Sequence, residues 1–190
     1  MEVTKAMSRK AIVLLAVCFV FVTVSVFAAD VLKGKDAKVN AAAQEVLNGN
    51  VNQATINTLE AALKKDPKNA DLAALLAGAY GVMYEQSNDK RQGDKAKSFA
   101  AQALKLNPNS NSAKIAALGA KAYSANQAER NEAIAGLQQL GNSTEGGRST
   151  DMRNFLIGKA HANNGNRAEA MKAFSSSKLA IASKAKSGLK

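Results

Sequence analysis

The segment Asp151–Ser177 reads DMRNFLIGKAHANNGNRAEAMKAFSSS, and it decides the fold. Apolar residues recur at intervals of three and four on both sides of Gly165, which is the pattern of two amphipathic helices. Gly165 lies where a short turn between helices needs a positive φ, and Asn166 with Glu169 has the form of a capping box. The segment therefore predicts two antiparallel helices joined by a tight turn.

The same start and stop signals recur outward from this segment. Ala62–Ala73, ALKKDPKNADLA, and Ala103–Ala113, ALKLNPNSNSA, each end an apolar-periodic run at an Asp or Asn followed by proline. Proline disfavours helical geometry in the residue before it, so each turn separates two helices. Gly49 and Gly141 mark two further short turns, and no segment alternates as a strand would. We predict eight helices, near residues 35–48, 52–65, 70–87, 93–106, 112–125, 128–140, 150–164 and 167–186.

These helix pairs resemble the tetratricopeptide repeat (TPR), in which W-x2-L-G-x2-Y on one helix precedes A-x3-F on the next. In the last pair the pattern positions are filled by Asn154, Ile157, Gly158, His161, Ala170 and Phe174. Residues 70–110 fit with about seven extra residues, in YEQSNDKRQGD, whereas residues 111–142 fit more loosely and residues 35–69 least. The packing positions of the two middle units are Leu76, Ala77, Tyr80, Ala96, Leu118, Gly119 and Ala133. The resemblance implies an all-α fold, with antiparallel helix pairs stacked as a short right-handed superhelix of about three to four repeats.

The resemblance also implies a binding surface, because the first helices of such pairs line a concave groove that binds a peptide or another protein. Carried over by position, the groove residues are Asp71, Ala74, Gly78, Val82, Ala113, Ala116, Ala120, Tyr123, Met152, Phe155, Lys159 and Asn163. This surface is mostly small and apolar, and it lacks the Lys/Asn cluster by which some family members hold a C-terminal carboxylate. We therefore expect an apolar protein segment to bind here. The candidate partner-binding residues are Tyr123, Met152, Phe155, Lys159 and Asn163, and the alternative for Tyr123, Met152 and Phe155 is a place in the core between repeats.

The first 28 residues have the layout of a secretory signal. Three basic residues precede the 17-residue run Ala11–Phe27, AIVLLAVCFVFVTVSVF, and Val26 and Ala28 occupy the small-residue positions before a cleavage site. The run is long for a signal and short of the ~20 residues of a membrane helix, so a cleaved signal and an uncleaved anchor both stay open, as does a start at Met7. In either case the positive-inside rule places the rest of the chain outside the cytoplasm. The expected domains are residues 1–28 as signal or anchor, 29–34 as a linker, 35–177 as the repeat domain and 178–190 as a basic C-terminal capping helix.

The composition leaves few residues for chemistry. Cys18 is the only cysteine and lies in the apolar run, either as an ordinary residue of the signal or as a lipidation site. A mature chain that starts after Ala28 therefore has no disulfide or thiolate site. His161, the only histidine, occupies the tyrosine position of the repeat and is expected in the core. The loop Gly141–Thr150, GNSTEGGRST, has two glycines at Walker-like spacing but no lysine after them, and we interpret it as a linker. We expect no enzyme activity, no metal and no cofactor.

The charge leaves two function hypotheses. The formal net charge is +11, and loss of residues 1–28 would leave +9. Basic and acidic residues are mixed except after Glu169, where five lysines follow with no acid, and the aromatic residues form no stacking platform for nucleic acid. The first hypothesis is an exported scaffold, expected in the bacterial periplasm, that binds another envelope protein. The alternative is an assembly factor, anchored in the inner membrane and facing the periplasm, that uses its basic surface and tail on anionic partners or lipid.

Overall fold

The computed structural model describes residues 36–141 and 147–189, without the side chains of residues 147–149. The expected signal or anchor, the linker 29–34, Cys18 and much of the loop 141–150 lie outside this range. Within the described residues the regular structure is entirely helical. The helices are α1 (Ala37–Asn48), α2 (Gln53–Lys65), α3 (Ala70–Ser87), α4 (Lys90–Leu106), α5 (Asn111–Ala122), α6 (Gln127–Gln139), α7 (Gly147–Asn163), α8 (Arg167–Ser175) and α9 (Ala180–Gly188).

The helices pack as consecutive pairs, which confirms the predicted all-α fold of stacked helix pairs. α1 packs on α2, α3 on α4, α5 on α6 and α7 on α8. The first helices of neighbouring pairs also contact one another, α1 with α3, α3 with α5, and α5 with α7. This arrangement follows from the amphipathic pattern, because one helix pair cannot bury its apolar face alone and stacking supplies the missing cover.

Most helix ends lie where the sequence predicts them. α2 ends at Lys65 and α4 at Leu106, immediately before the two proline-containing turns. The glycines of the three predicted short turns adopt the left-handed conformation, with φ of 72° at Gly49, 63° at Gly141 and 78° at Gly165. A side chain at these positions would be strained, so the glycines set where each helix stops.

The predicted capping box at Asn166 and Glu169 is wrong. Asn166 makes no side-chain cap hydrogen bond, and its φ of −83° and ψ of 73° lie outside the extended region that a capping residue adopts. Its main-chain N–H donates to the His161 carbonyl over 2.9 Å, so it closes the end of α7 and is not free for Glu169. A capping box does exist at the start of α2, where Asn52 and Thr55 exchange side-chain to main-chain hydrogen bonds.

The predicted helix 167–186 is two helices, α8 and α9. The break between them is held by side chains of α7. Asn154 Nδ2 donates to the Ser176 carbonyl over 2.9 Å, and the Lys178 N–H donates to Asp151 Oδ1 over 2.9 Å. Main-chain groups at helix ends need such partners. Both partners come from another helix, so the helical periodicity of residues 167–186 did not show where the break lies.

The extra residues of the second pair lengthen its helices and form no long loop. Only Asn88 and Asp89 separate α3 from α4, with Asn88 in the left-handed conformation at a φ of 53° and Asp89 capping α4. About seven residues amount to two helical turns, and each helix gains roughly one. The added turn of α3 carries Tyr84, Glu85 and Gln86 beyond the end of the repeat pattern.

Candidate functional site

The residues predicted to pack within the repeats lie in or beside the core. Buried positions are Leu76, Ala77, Tyr80, Ala96, Gly119, Ala133, Ile157, Gly158, Ala170 and Phe174, and Leu118 is half-buried. The closest approach is between α7 and α8, where a Cβ built on Gly158 would lie 2.5 Å from Phe174 Cδ1. No side chain larger than hydrogen fits at Gly158 unless the Phe174 ring moves.

The structure divides the predicted groove residues into two sets. Ala74, Val82, Ala113 and Phe155 are buried. The accessible set consists of the half-exposed Asp71, Gly78, Ala116, Ala120, Tyr123, Met152 and Lys159 and the exposed Asn163.

Phe155 belongs to the core and not to an accessible surface. It is 3% exposed, and its ring centroid lies 5.9 Å from that of Phe174. Tyr123 and Met152 pack partly against the same core cluster but keep some exposed area. The core alternative therefore holds for Phe155, whose burial leaves Tyr123 and Met152 as the large apolar side chains among the predicted partner-binding residues.

Within the accessible set, Lys159 on α7 forms an ion pair with Glu85 of α3. Lys159 Nζ lies 2.8 Å from Glu85 Oε1 and 2.9 Å from Glu85 Oε2, so it contacts both oxygens of the carboxylate. The two side chains are only 15% and 30% exposed, respectively. The pair joins α7 to the added turn of α3, and it supplies Lys159 with a counter-charge from the same chain.

Two tyrosines complete this cluster. The Tyr123 and Tyr84 rings meet edge to face at a centroid distance of 6.4 Å, and Lys159 Nζ lies 5.5 Å from the Tyr123 ring centroid. Burial of the phenol raises the pKa of Tyr123 well above its usual value, and the nearby Glu85 carboxylate raises this pKa further. We call Tyr84, Glu85, Tyr123 and Lys159 the central cluster, because it joins the first helices α3, α5 and α7.

Asn163 links the same helices at one side of the central cluster. Its Nδ2 donates to the Ala122 carbonyl at the end of α5 over 3.1 Å. Of the predicted partner-binding residues, the structure thus brings Tyr123, Lys159 and Asn163 together where α5 meets α7.

The sequence interpretation missed the residues of the added turn. Tyr84 and Glu85 contribute half of the central cluster, and Gln86 Nε2 donates to the Gly49 carbonyl over 3.3 Å. One signal could have revealed them, because an insertion of about two helical turns is the length that extends both helices of a pair by one turn. The repeat pattern has no positions for these residues, so no role could be carried over to them.

α9 connects the two ends of the described domain. It contacts α1 as well as α8. Ile181 lies against Gly49, where a built Cβ would be 2.9 Å from Ile181 Cβ. Leu179 and Ala182 are buried in the cluster that contains Phe155 and Phe174. One face of α9 is thus packed, while Lys184 and Lys178, which precedes the helix, remain exposed.

His161 lies on α7 at the tyrosine position of the repeat and is half-buried. Its Nδ1 is buried, and no hydrogen-bond partner for it lies among the described residues. In residues 36–141 and 147–189, no group of three His, Cys, Asp or Glu side chains is placed to hold a metal ion. No helix in the same part of the chain is long and apolar enough to cross a bilayer.

Comparison with known proteins supports the fold. No protein-family model matches the chain, and no curated protein matches its sequence. Among solved structures, it is similar to the crystal structure of TTC0263, a thermophilic TPR protein in Thermus thermophilus, with a TM-score of 0.56 and 18% sequence identity over 95% of each chain. At this identity the likeness shows the fold alone. The described helices therefore form a TPR-like array.

Proposed function

We propose that the chain is an exported, non-enzymatic scaffold that binds an apolar segment of another envelope protein on the face formed by α3, α5 and α7. The observation that supports this function is the ion pair between Lys159 and Glu85. The Lys159 ammonium already contacts both Glu85 oxygens, so a carboxylate of a partner would have to displace Glu85. Among the predicted groove residues that stay accessible, Gly78, Ala116, Ala120, Tyr123 and Met152 are small, apolar or aromatic, whereas Asp71, Lys159 and Asn163 are polar.

The energetics favour a few larger anchors on this face. Apolar burial contributes about 25 cal/mol per Å², and interfaces concentrate their binding energy in a few large side chains. Tyr84, Tyr123 and Met152 are half-exposed and can supply this area. Ala116 and Ala120 are half-exposed alanines one helical turn apart on α5 and leave room for a partner backbone to approach.

The proposed location rests on the sequence of the first 28 residues, which lie outside the described range. Their basic start, apolar run and small-residue cleavage positions support export, with the bacterial periplasm as the proposed location and an envelope protein as the proposed partner. N-terminal sequencing of the exported protein tests the cleavage. A mature start near Ala29 is expected, whereas a retained N-terminus would favour the anchored alternative.

The second candidate is the anchored assembly factor. The observation that favours it is the basic C-terminal segment, where Lys178 before α9 and Lys184 within α9 are exposed and no acid occurs after Glu169. This function would act through charge. Its binding would therefore weaken steeply with salt, because exposed charges are screened beyond about 8 Å at physiological ionic strength.

A matched pair of substitutions tests the α3–α5–α7 face. Ala120→Glu places a carboxylate on that face, and Ala101→Glu makes the same change at an exposed position of α4. We expect Ala120→Glu to lower capture of envelope proteins from a membrane extract at least tenfold, and Ala101→Glu to leave it unchanged. Capture by the unsubstituted chain should change little between low and moderate salt. Equal capture by both variants would refute the proposed function. A steep loss of capture by the unsubstituted chain as salt rises would favour the anchored alternative.

A further inference from the structure

We propose that α9 occupies a docking surface of the repeat domain as a displaceable helix of the same chain, and that the partner presents a short amphipathic helix of the same chemistry that takes its place. The inference rests on the proposed function: it names the kind of partner segment and extends the binding surface from the α3–α5–α7 face to the surface that α9 covers on α1, α7 and α8. The observation behind it is that α9 itself covers this surface in the structure.

The contacts of α9 span the array of helix pairs. Leu179 and Ala182 are 7% and 0% exposed, in the core cluster that also holds Phe155 of α7. Between them in sequence, Ile181 lies against Gly49, the left-handed glycine that ends α1. Because Gly49 has no Cβ, the α1 end offers a place for one branched aliphatic side chain. α9 therefore bridges the first helix and the last pair.

α9 is one of the two shortest described helices, and it buries fewer of its own residues than α8, which has the same length and also lacks a side-chain cap. It has nine residues, and its N-cap residue, Leu179, provides no side-chain hydrogen bond. Isolated helices shorter than about 12–15 residues are marginal in water, so α9 depends on its docking contacts. Ala182 is the one residue within the helix that is fully buried. The link to α8 is a short segment held by the Asn154 and Asp151 side chains.

The side chains on the packed face of α9 indicate what a partner helix must present to bind in its place. The face that packs carries an alanine at the tightest position, Ala182, an isoleucine one residue earlier, and the half-buried Ala185 and Leu189 further along. The segment contains no acidic residue. A partner helix that fits must therefore present an aliphatic residue against Gly49, with an alanine-sized residue beside it.

Tethering makes α9 a strong competitor for its own surface. A short linker holds a segment at an effective concentration in the millimolar range. A free peptide of the same sequence therefore binds the unsubstituted chain only through the small fraction in which α9 is detached, and its apparent affinity is reduced by that fraction. A substitution that detaches α9 should expose the surface and restore the affinity.

The experiment uses the full chain and a fluorescent peptide of residues 176–190, SSKLAIASKAKSGLK. Ile181→Asp in the chain removes the contact with Gly49, and Ser183→Asp makes a charge change on the exposed face of the same helix. Fluorescence anisotropy should show at least tenfold tighter peptide binding to the Ile181→Asp chain than to the unsubstituted or Ser183→Asp chain. A peptide that itself carries Ile181→Asp should bind none of them. Equal binding of the original peptide to all three chains would overturn the proposal.

A second measurement applies even if Ile181→Asp disturbs folding. Hydrogen exchange on the unsubstituted chain should show amides of α9 exchanging at least tenfold faster than those around Phe155 in α7, because α9 opens locally. Exchange of α9 only at the rate of the α7 core would make α9 a permanent part of the fold and overturn the proposal.

The two proposals fail in different ways. Peptide binding that depends on Ile181→Asp, together with no capture of envelope proteins, would refute the proposed function and support the role of α9. Envelope capture that is lost in Ala120→Glu but unchanged in Ile181→Asp would support the proposed function and refute displacement of α9.

Discussion

Gly158→Ala tests the closest helix contact of the domain. The added methyl group would lie 2.5 Å from Phe174 Cδ1 and 2.6 Å from Phe174 Cε1, so the ring must shift by about 1 Å to regain van der Waals contact near 3.5 Å. The ring has little space, because Phe174 is 2% exposed and packs beside Phe155. Overpacking of this kind costs about 1–3 kcal/mol, and alanine recovers up to about 1 kcal/mol of helix propensity. We expect the free energy of unfolding to fall by about 1–2 kcal/mol.

Gly81→Ala is the matched control, because Gly81 also lies inside a helix and a Cβ there would meet nothing within 4 Å. It should stabilise the domain by up to about 1 kcal/mol through helix propensity. Thermal and urea unfolding followed by circular dichroism compare the two variants, and Tm should move by about 2–4 °C per kcal/mol in a domain of this size. Phe174→Leu combined with Gly158→Ala should cost less than the sum of the single changes, because the clash is relieved. If Gly158→Ala raised Tm as Gly81→Ala does, the close α7–α8 contact would be refuted.

Three further predictions concern the central cluster and the cap of α2. Glu85→Gln should lower the free energy of unfolding by about 1–2 kcal/mol, because it leaves the poorly exposed Lys159 without its counter-charge. In urea titrations, the double variant Glu85→Gln/Lys159→Met should lose less stability than the sum of the losses of the two single variants. Strict additivity would refute the coupling. For Tyr123 the folded-state pKa is raised, so its contribution to stability is present below the unfolded value of about 10 and is lost at higher pH as the unfolded chain releases the phenol proton. Tyr123→Phe should therefore lose less stability between pH 8 and pH 11 than the unsubstituted chain, and identical losses by urea titration at the two pH values would contradict the pKa shift. Asn52→Ala should lower the free energy of unfolding by about 0.5–2 kcal/mol, as loss of a cap does, and an unchanged urea midpoint would argue against the capping box.

Much of the fold could be predicted from the sequence, because its determinants are local. The proline turns after Lys65 and Leu106 and the glycine turns at Gly49 and Gly165 act through the φ and ψ angles of one or two residues. The spacing of apolar residues marks the stripe of each helix that packs against a neighbouring helix. For these reasons most predicted helix bounds agree with the structure to within a few residues.

The candidate site could be predicted only in part. The repeat pattern placed Tyr123, Phe155 and Lys159 on a groove. The structure places Tyr123 and Lys159 in contact at half-exposed positions, whereas Phe155 lies in the core. Whether a side chain is accessible depends on what neighbouring elements cover, and the pattern of one helix does not contain that information. Nor could it identify Glu85 as the partner of Lys159, because Glu85 lies in an added turn that has no position in the repeat.

By itself, the sequence determined that the chain folds as stacked helix pairs and where nearly every helix stops, because propensity, capping and periodicity act over a few residues. Only the tertiary structure decided what holds the break between α8 and α9 and that α9 returns to α1. The break is satisfied by Asp151 and Asn154, more than 20 residues earlier in the chain, and the return depends on the space that Gly49 leaves for Ile181. Such contacts join residues far apart in sequence, and their geometry exists only once the intervening helices have packed.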